Sequence, residues 1–296
     1  MLNIIASANA NLPFPGNPPI TFNLWHLRDE IYYLNDSLEL GNMLLCNSPQ
    51  GLVVVDSKIP GCYPALNEFI CDQFKVPLKW VINTHCHPDH AGGNPDLCQN
   101  NPQIIAHANC AARLAQNQQL VVIGENFAAL PSAFRPNLVF DSTLTLNLDA
   151  ESLIISHLPG HTDNDLTVFC TNANVIHTGD LCSFGGFPYL GLNEGANINS
   201  MINSLWKLHD SINDQTIVVP GHGAHGNRQT LKEYIMLLST AVNNVKNLTN
   251  KGAKLQEILA NKPAADLAKT CRTGVGPLNQ STFEELLYLA ISCEER

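Results

Sequence analysis

At 296 residues the chain is long enough to bury a large core, and with 45% apolar and only 14% charged residues it is a globular protein whose surface is polar but sparsely charged. Its formal charge of −10 argues against a phosphate-backbone partner, because nucleic-acid affinity rests on clustered Lys and Arg. No apolar run approaches the roughly eighteen residues of a membrane-spanning helix.

The first ten residues carry Ala6-Ser7-Ala8 and Ala8-Asn9-Ala10, small-residue patterns that fit the cleavage end of a secretory leader, without its basic start. The expectation that follows is a periplasmic or secreted protein. Residues 11–20 hold four prolines, so 1–20 is expected as an irregular segment ahead of a domain spanning 21–296. Short strand-like runs follow at 22–27, 31–34, 43–46 and 52–55, broken by Asn35-Asp36-Ser37 and by turn residues at 47–51; close spacing predicts an antiparallel meander. Leu66, Phe69, Ile70 and Phe74 are spaced for one helix face, and the apolar run 79–83 reads as a buried strand.

A second cycle resembles the first. A strand is expected at 103–106, a helix at 110–116 and an irregular excursion at 119–136, followed by strands at 138–140, 144–148, 153–157, 166–170 and 175–177. An amphipathic helix at 197–209 and a strand at 216–219 complete it, and 228–296 is a mainly helical tail with turn-rich residues at 273–280. No low-complexity linker divides the chain, which favours one domain of two similar halves. The ten cysteines include no Cys-x-x-Cys pair, so most are read as small buried hydrophobes.

The chemistry concentrates in Thr84-His85-Cys86-His87-Pro88-Asp89-His90, directly after the 79–83 strand. Histidines at i and i+2 of an extended segment point to one side. A turn at Pro88 can bring Asp89 and His90 round to the same place. Further on, His161, Asp180 and His222 each follow an expected strand, just after a glycine, and strand ends on one edge of a sheet sandwich converge. Imidazole and carboxylate are ordinary zinc ligands. His107 and His177, lone histidines in strands, are read as core or surface residues without a metal role.

The ordered motifs His-x-His-x-Asp-His, Gly-His-Thr, Gly-Asp and Pro-Gly-His-Gly resemble those of the metallo-β-lactamase superfamily over roughly residues 21–225. The resemblance implies an α/β fold, a four-layered αβ/βα sandwich of two mixed β-sheets flanked by helices. It implies two zinc ions, with iron or manganese as alternatives: one held by His85, His87 and His161, the other by Asp89, His90 and His222, with Asp180 between them. The reaction implied is hydrolysis of an ester, thioester, lactone or amide-type bond in a small molecule by a hydroxide shared between the metals, with Asp89 as the catalytic base. No nucleic-acid or membrane partner is expected, and the oligomeric state is left open. Thr84, Thr162, Asp163 and Thr178 are expected to steady the imidazoles. Cys182, Phe187, Tyr189 and His225 are candidates to border the metals or touch substrate, and the segments 184–190 and 119–136, with Phe127 and Phe134, are expected pocket walls.

Two departures bear on substrate. In β-lactamases of the family the bridging position is commonly Cys or Ser, and in the cysteine type a lysine three residues on grips the drug's carboxylate; here the residues are Asp180 and Ser183. β-Lactam hydrolysis is therefore the second reading, kept because 160–165 looks lactamase-like. A glyoxalase II-like thioesterase shares the aspartate bridge and binds glutathione through basic residues of its C-terminal helices. A mononuclear-iron dioxygenase and a non-catalytic binding protein complete the alternatives.

Overall fold

The computed structural model describes residues 4–10, 20–61, 65–120 and 125–294. The first half builds β1 (Ile4–Ala10), β2 (Ile20–Arg28), β3 (Ile31–Asp36), β4 (Met43–Ser48), β5 (Gly51–Val55), α1 (Ala65–Gln73), β6 (Leu78–Ile82), the single turns α2 (Pro88–Ala91) and α3 (Asn94–Leu97), β7 (Gln103–His107) and α4 (Ala108–Leu114). The hairpin β8 (Gln118–Leu120) and β9 (Glu125–Phe127) leads to β10 (Leu138–Phe140). The second half comprises β11 (Thr143–Leu148), β12 (Glu151–His157), β13 (Leu166–Cys170), β14 (Val175–His177), β15 (Ser183–Phe184), α5 (Ile198–Ser211), β16 (Ile217–Val219), β17 (His222–Gly223) and β18 (Gly226–Asn227). The tail is α6 (Arg228–Asn250), α7 (Leu255–Asn261), α8 (Ala265–Ala268) and α9 (Gln280–Glu294).

An eight-stranded sheet runs β1-β2-β3-β4-β5-β6-β7-β10, and a six-stranded one β11-β12-β13-β14-β16-β18. Both are mixed. Neighbours from β1 to β5 are antiparallel and those from β5 onward parallel; in the second sheet only β14 and β16 run parallel.

The two-residue period of a strand sorts its side chains between two cores. On β5, Leu52 and Val54 pack against Leu66, Phe69 and Ile70 of α1, while Val53 and Val55 meet Leu153, Ile155, Val168 and Val219 of the opposite sheet. Beyond the second sheet, Ile198, Met201 and Leu205 of α5, Ile235 and Leu238 of α6, and Phe283 and Leu287 of α9 form a third apolar layer. Helix, sheet, sheet, helix is the four-layered αβ/βα order that the motifs imply. Asn227 opens α6 with a capping box closed by Thr230.

Two segments depart from the expectations. Residues 4–10, expected as irregular, form strand β1, paired from Ala6↔Leu24 to Ala10↔Ile20. Alternating Ala, Ser and Asn give no amphipathic signal, and backbone pairing at a sheet edge needs none. The proline-rich 11–19 lies outside the described residues. Of the 119–136 excursion, the described residues include parts of strands β8 and β9 and a single 3-10 turn at Ser132–Phe134.

Candidate metal centre

Every candidate ligand leaves the end of a strand or the loop just beyond it. After β6 the chain passes through Asn83 and Thr84 to His85 and His87, and Pro88 then opens α2, whose single turn brings Asp89 and His90 back to the same point. The β12–β13 loop presents His161. A 3-10 turn after β14, Gly179–Leu181, presents Asp180, and β16 runs through Pro220 and Gly221 into His222. Gly221 is required here, because a Cβ at that position would lie 1.9 Å from Asp180 Oδ1.

The seven side chains form two clusters, His85, His87, His161 and Asp180 in one and Asp89, His90 and His222 in the other, each with its ligand atoms within 4.8 Å of one another. His161 Nε2 lies 3.2 Å from His85 Nε2 and 2.9 Å from His87 Nδ1. In the second cluster Asp89 Oδ2 is 3.1 Å from His222 Nε2 and 3.5 Å from His90 Nε2. Asp180 faces both: Oδ2 is 3.7 Å from His161 Nε2 and 3.3 Å from His222 Nε2, and Oδ1 is 3.1 Å from His90 Nε2.

The chemistry of this donor set fits a pair of transition-metal ions. Three imidazoles meet nitrogen to nitrogen with their rings near perpendicular, at 80° to 90°. His90 Nε2 and Asp180 Oδ1 are buried and close, yet neither makes an aligned hydrogen bond. Buried polar atoms left so are costly unless something else satisfies them.

The outer nitrogens explain how the inner ones stay available. His90 Nδ1 donates to Asp56 Oδ2 at 2.7 Å, His161 Nδ1 to the Tyr189 carbonyl at 2.8 Å and His222 Nδ1 to the Glu39 carbonyl at 2.9 Å. His85 Nδ1 lies 3.1 Å from Thr84 Oγ1, which itself donates to Asp56 Oδ2. A proton fixed on the outer nitrogen leaves the inner one as a lone pair, the tautomer a metal needs.

The electrostatics separate the clusters. Burial, reinforced by the neighbouring imidazoles, holds His85 well below the usual histidine range and lowers His87 to about 3, so both are neutral. Burial alone would also lower His90 and His222. The carboxylates of Asp180 and Asp89 outweigh it, raising His90 far above its usual value and His222 to about 10. Reciprocally, those histidines keep Asp89 and Asp180 ionised against the cost of burial. The second cluster is thus poised to exchange protons for a cation.

Of the expected supporting residues, Thr84 touches an imidazole of the clusters; Thr162, Asp163 and Thr178 make no hydrogen bond to one and brace loops instead. Thr162 donates to Asp165 Oδ1 at 2.5 Å, Asp163 pairs with Arg113 at 2.5 Å, and Thr178 donates to the Gly179 carbonyl at 3.0 Å. Cys182 is buried, its thiol pushed up to about 12 by desolvation. Phe187 stacks on Phe283 of α9, centroids 5.2 Å apart, and His225 packs against Tyr33. Phe134 packs toward the α1 core. Tyr189 does border the site, its ring 5.4 Å from that of His87.

Tyr189 and Phe127 share with His87, Asp89, Asp180 and His222 a cleft of about 290 Å³. Two of its walls were not foreseen: Leu38 to Leu40, between β3 and β4, and the turn at Gly274, Gly276 and Pro277. Asp56 and the carbonyls of Glu39 and Tyr189 were missed as well. Asp56 carried a signal, an acid ending the apolar run of β5; a main-chain carbonyl has no residue type to betray it.

The sequence profile of the metallo-beta-lactamase superfamily matches residues 42–222. The chain is 27% identical over 217 residues to the metallo-beta-lactamase type 2 of Bacillus cereus, covering 73% of this chain and 79% of that one. It is 26% identical over 223 residues to a hydroxyacylglutathione hydrolase of Prochlorococcus marinus, covering 74% and 76%. Among solved structures, a metallo-beta-lactamase from Pontibacter korlensis superposes with a TM-score of 0.57 at 19% identity, over 81% of this chain and 99% of that one. A sec-alkylsulfatase from Pseudomonas sp. gives 0.65 at 17% identity, over 90% of this chain but only 49% of the longer enzyme. With the matched segment spanning the donor residues from His85 to His222, the chain belongs to the metallo-beta-lactamase superfamily.

Proposed function

We propose that the protein is a di-zinc hydrolase that cleaves an ester, thioester, lactone or amide-type bond of a small molecule. The observation that carries the proposal is the pair of clusters sharing Asp180 beside an open cleft. His85, His87 and His161 would hold one ion, Asp89, His90 and His222 the other, and Asp180 would join them. When bound, two zinc ions supply a hydroxide at near-neutral pH and an electrophile for the oxygen of the scissile bond.

The chain's own groups do the rest. Asp89, its side chain 26% exposed, lines the cleft with one oxygen beside His222 and His90. Its other oxygen would orient the nucleophile and take its proton as the leaving group departs. Asp56, Thr84 and the Glu39 and Tyr189 carbonyls keep the imidazoles from turning.

β-Lactam hydrolysis stands second, supported by the likeness to the Bacillus cereus enzyme. Ser183 is buried, paired beside His222, and offers no charge for a drug carboxylate. The thioesterase reading draws on the Prochlorococcus relative; against it, Lys251, Lys254, Lys262, Lys269 and Arg272 are exposed and none lines the cleft.

Elemental analysis of protein purified with zinc should return about two metals per chain, and Asp180→Ala should lower that count. A loaded enzyme that leaves esters, thioesters, lactones and amides all intact would sink the proposal. One iron per chain would move it to the dioxygenase reading.

A further inference from the structure

We propose that a second cavity, behind Pro88, is a binding subsite for hydrocarbon, and that the substrate sends an apolar chain into it from the metal centre. The subsite stands on the cavity alone; what is said of the substrate rests on the hydrolase reading.

The cavity measures about 230 Å³ and adjoins the metal cleft, since Pro88 and Phe127 line both. Its position follows from the alternation of an extended segment. His85 and His87 turn toward the metal centre, and Cys86 between them lines the second cavity instead. Pro88 stands in the chain between the candidate ligands His87 and Asp89. A chain attached to a bond held at the metals would therefore reach the second cavity by passing that ring.

Among the described residues no charged side chain lines this cavity, and Gln118 and the Cys86 thiol are its only hydrogen-bonding side chains. Leu114, Leu130, Pro60, Pro95 and Pro131 supply hydrocarbon walls. The two leucines also belong to a small apolar cluster with Cys86 and Cys110, apart from the larger cores. The walls are preformed. Leu130 N–H donates to the Leu114 carbonyl at 2.9 Å, the Leu130 carbonyl accepts from Arg135 Nε at 2.7 Å, and Ala129 N–H donates to Asn117 Oδ1 at 3.0 Å. Proline rings are fixed in φ, so little order remains to be imposed on binding. Apolar cavities of about 150 Å³ already take up benzene, so this one has room for a ring or a short alkyl chain. Water there finds few partners, whereas each methylene brought in from water strengthens binding about fourfold.

Binding and turnover are tested separately. In the full chain without added metal, with leucine methyls labelled for NMR, n-butanol, n-hexanol and n-octanol should move the Leu114 and Leu130 resonances, and affinity should rise about fourfold per methylene from butanol to hexanol. Ala129→Phe, which would fill the cavity, should remove both the shifts and the length dependence. Resonances of Leu114 and Leu130 that stay still, shifts confined to Leu38 and Leu40 of the metal cleft, affinity that ignores chain length, or an undiminished response in Ala129→Phe would each overturn the subsite; the titrations of the unaltered chain decide even if that variant fails to fold. In the zinc-loaded enzyme, KM should fall with chain length along p-nitrophenyl alkanoates or along alkyl acetates, according to which half of the substrate carries the chain, and a flat KM in both series would overturn the claim about substrate. If the alcohols bind at Leu114 and Leu130 but no ester, thioester, lactone or amide is cleaved, the hydrolase reading fails and the subsite stands.

Discussion

Asp56 shows how far a single carboxylate reaches. It is fully buried at the end of β5 in a left-handed backbone conformation, φ 67°. Its oxygens accept from Thr84 N at 2.7 Å, Thr84 Oγ1 at 2.8 Å and His90 Nδ1 at 2.7 Å. Through Thr84 it steadies His85 and directly it steadies His90, which belong to different clusters. Asp56→Asn keeps the shape but turns one oxygen into a donor facing another donor. Metal affinity, measured by competition with a chelator, should fall by roughly 10- to 100-fold, the usual cost of removing such a partner, with kcat/KM falling alongside. Unchanged affinity would show that His90 is oriented by the clusters alone. The ligands themselves were legible because three histidines and an aspartate within six residues have few other uses. Their partners were not, because a partner is defined by where the fold brings it: Thr162 and Thr178 lie close to ligands in sequence, yet one bonds the Asp165 carboxylate and the other the Gly179 carbonyl.

At the scale of an element, the β3–β4 connection is a rigid arm. Lys58 and Asp36 form an ion pair at 2.6 Å with both side chains fully buried, and Lys58 also donates to the Gly41 carbonyl. Asp36 in turn accepts from Leu38 N at 2.7 Å and Leu40 N at 3.2 Å. The arm ends in Asn42, whose side-chain amide donates to the Pro220 and Gly223 carbonyls on either side of His222. Lys58→Met would strand a buried carboxylate, and removing one member of such a pair costs about 3–5 kcal/mol. The urea midpoint should drop accordingly, and adding Asp36→Leu should restore part of the loss; additive damage would mean the two side chains act independently. The strands around this arm were readable from turn residues and apolar runs. The arm was not, since Asp36 and Lys58 resemble ordinary surface charges until the sheet closes over them.

The whole molecule is two sheets held face to face, and His107 and His157 mark one seam between them. His107 ends β7 of the first sheet and His157 ends β12 of the second; their rings stack at 3.9 Å and 24°. His157 Nε2 donates to the Asp163 carbonyl, and His107 Nε2 to the Asp141 carbonyl. Half-burial first, and His107 second, lower the pKa of His157 against the opposing pull of the Asp163 and Asp141 carboxylates. The unfolded chain therefore binds more protons than the folded one below the ordinary histidine value of about 6.5. Stability contributed by neutral His157 is complete above that pH and is lost as pH falls from it toward the lowered folded value. The melting temperature should decline between pH 7 and pH 5.5, and decline less in His157→Phe, which keeps the stack; parallel slopes would remove the seam from the explanation. The division into two similar halves was visible in the repeated strand-and-helix pattern. The sheet register that seats these two rings together was not, because it is fixed by partners far apart in sequence.

Each cluster takes residues from both halves: His85 and His87 with His161 and Asp180 in one, Asp89 and His90 with His222 in the other. Any ion seated there is a rivet between the sheets as well as a reagent. Mass action then ties the stability of the fold to the free metal concentration, because an unfolded chain cannot present both sides of the rivet at once. A cell poor in that metal would hold a looser protein, its halves joined by the apolar layer and by contacts such as those of Asn42 with the Pro220 and Gly223 carbonyls.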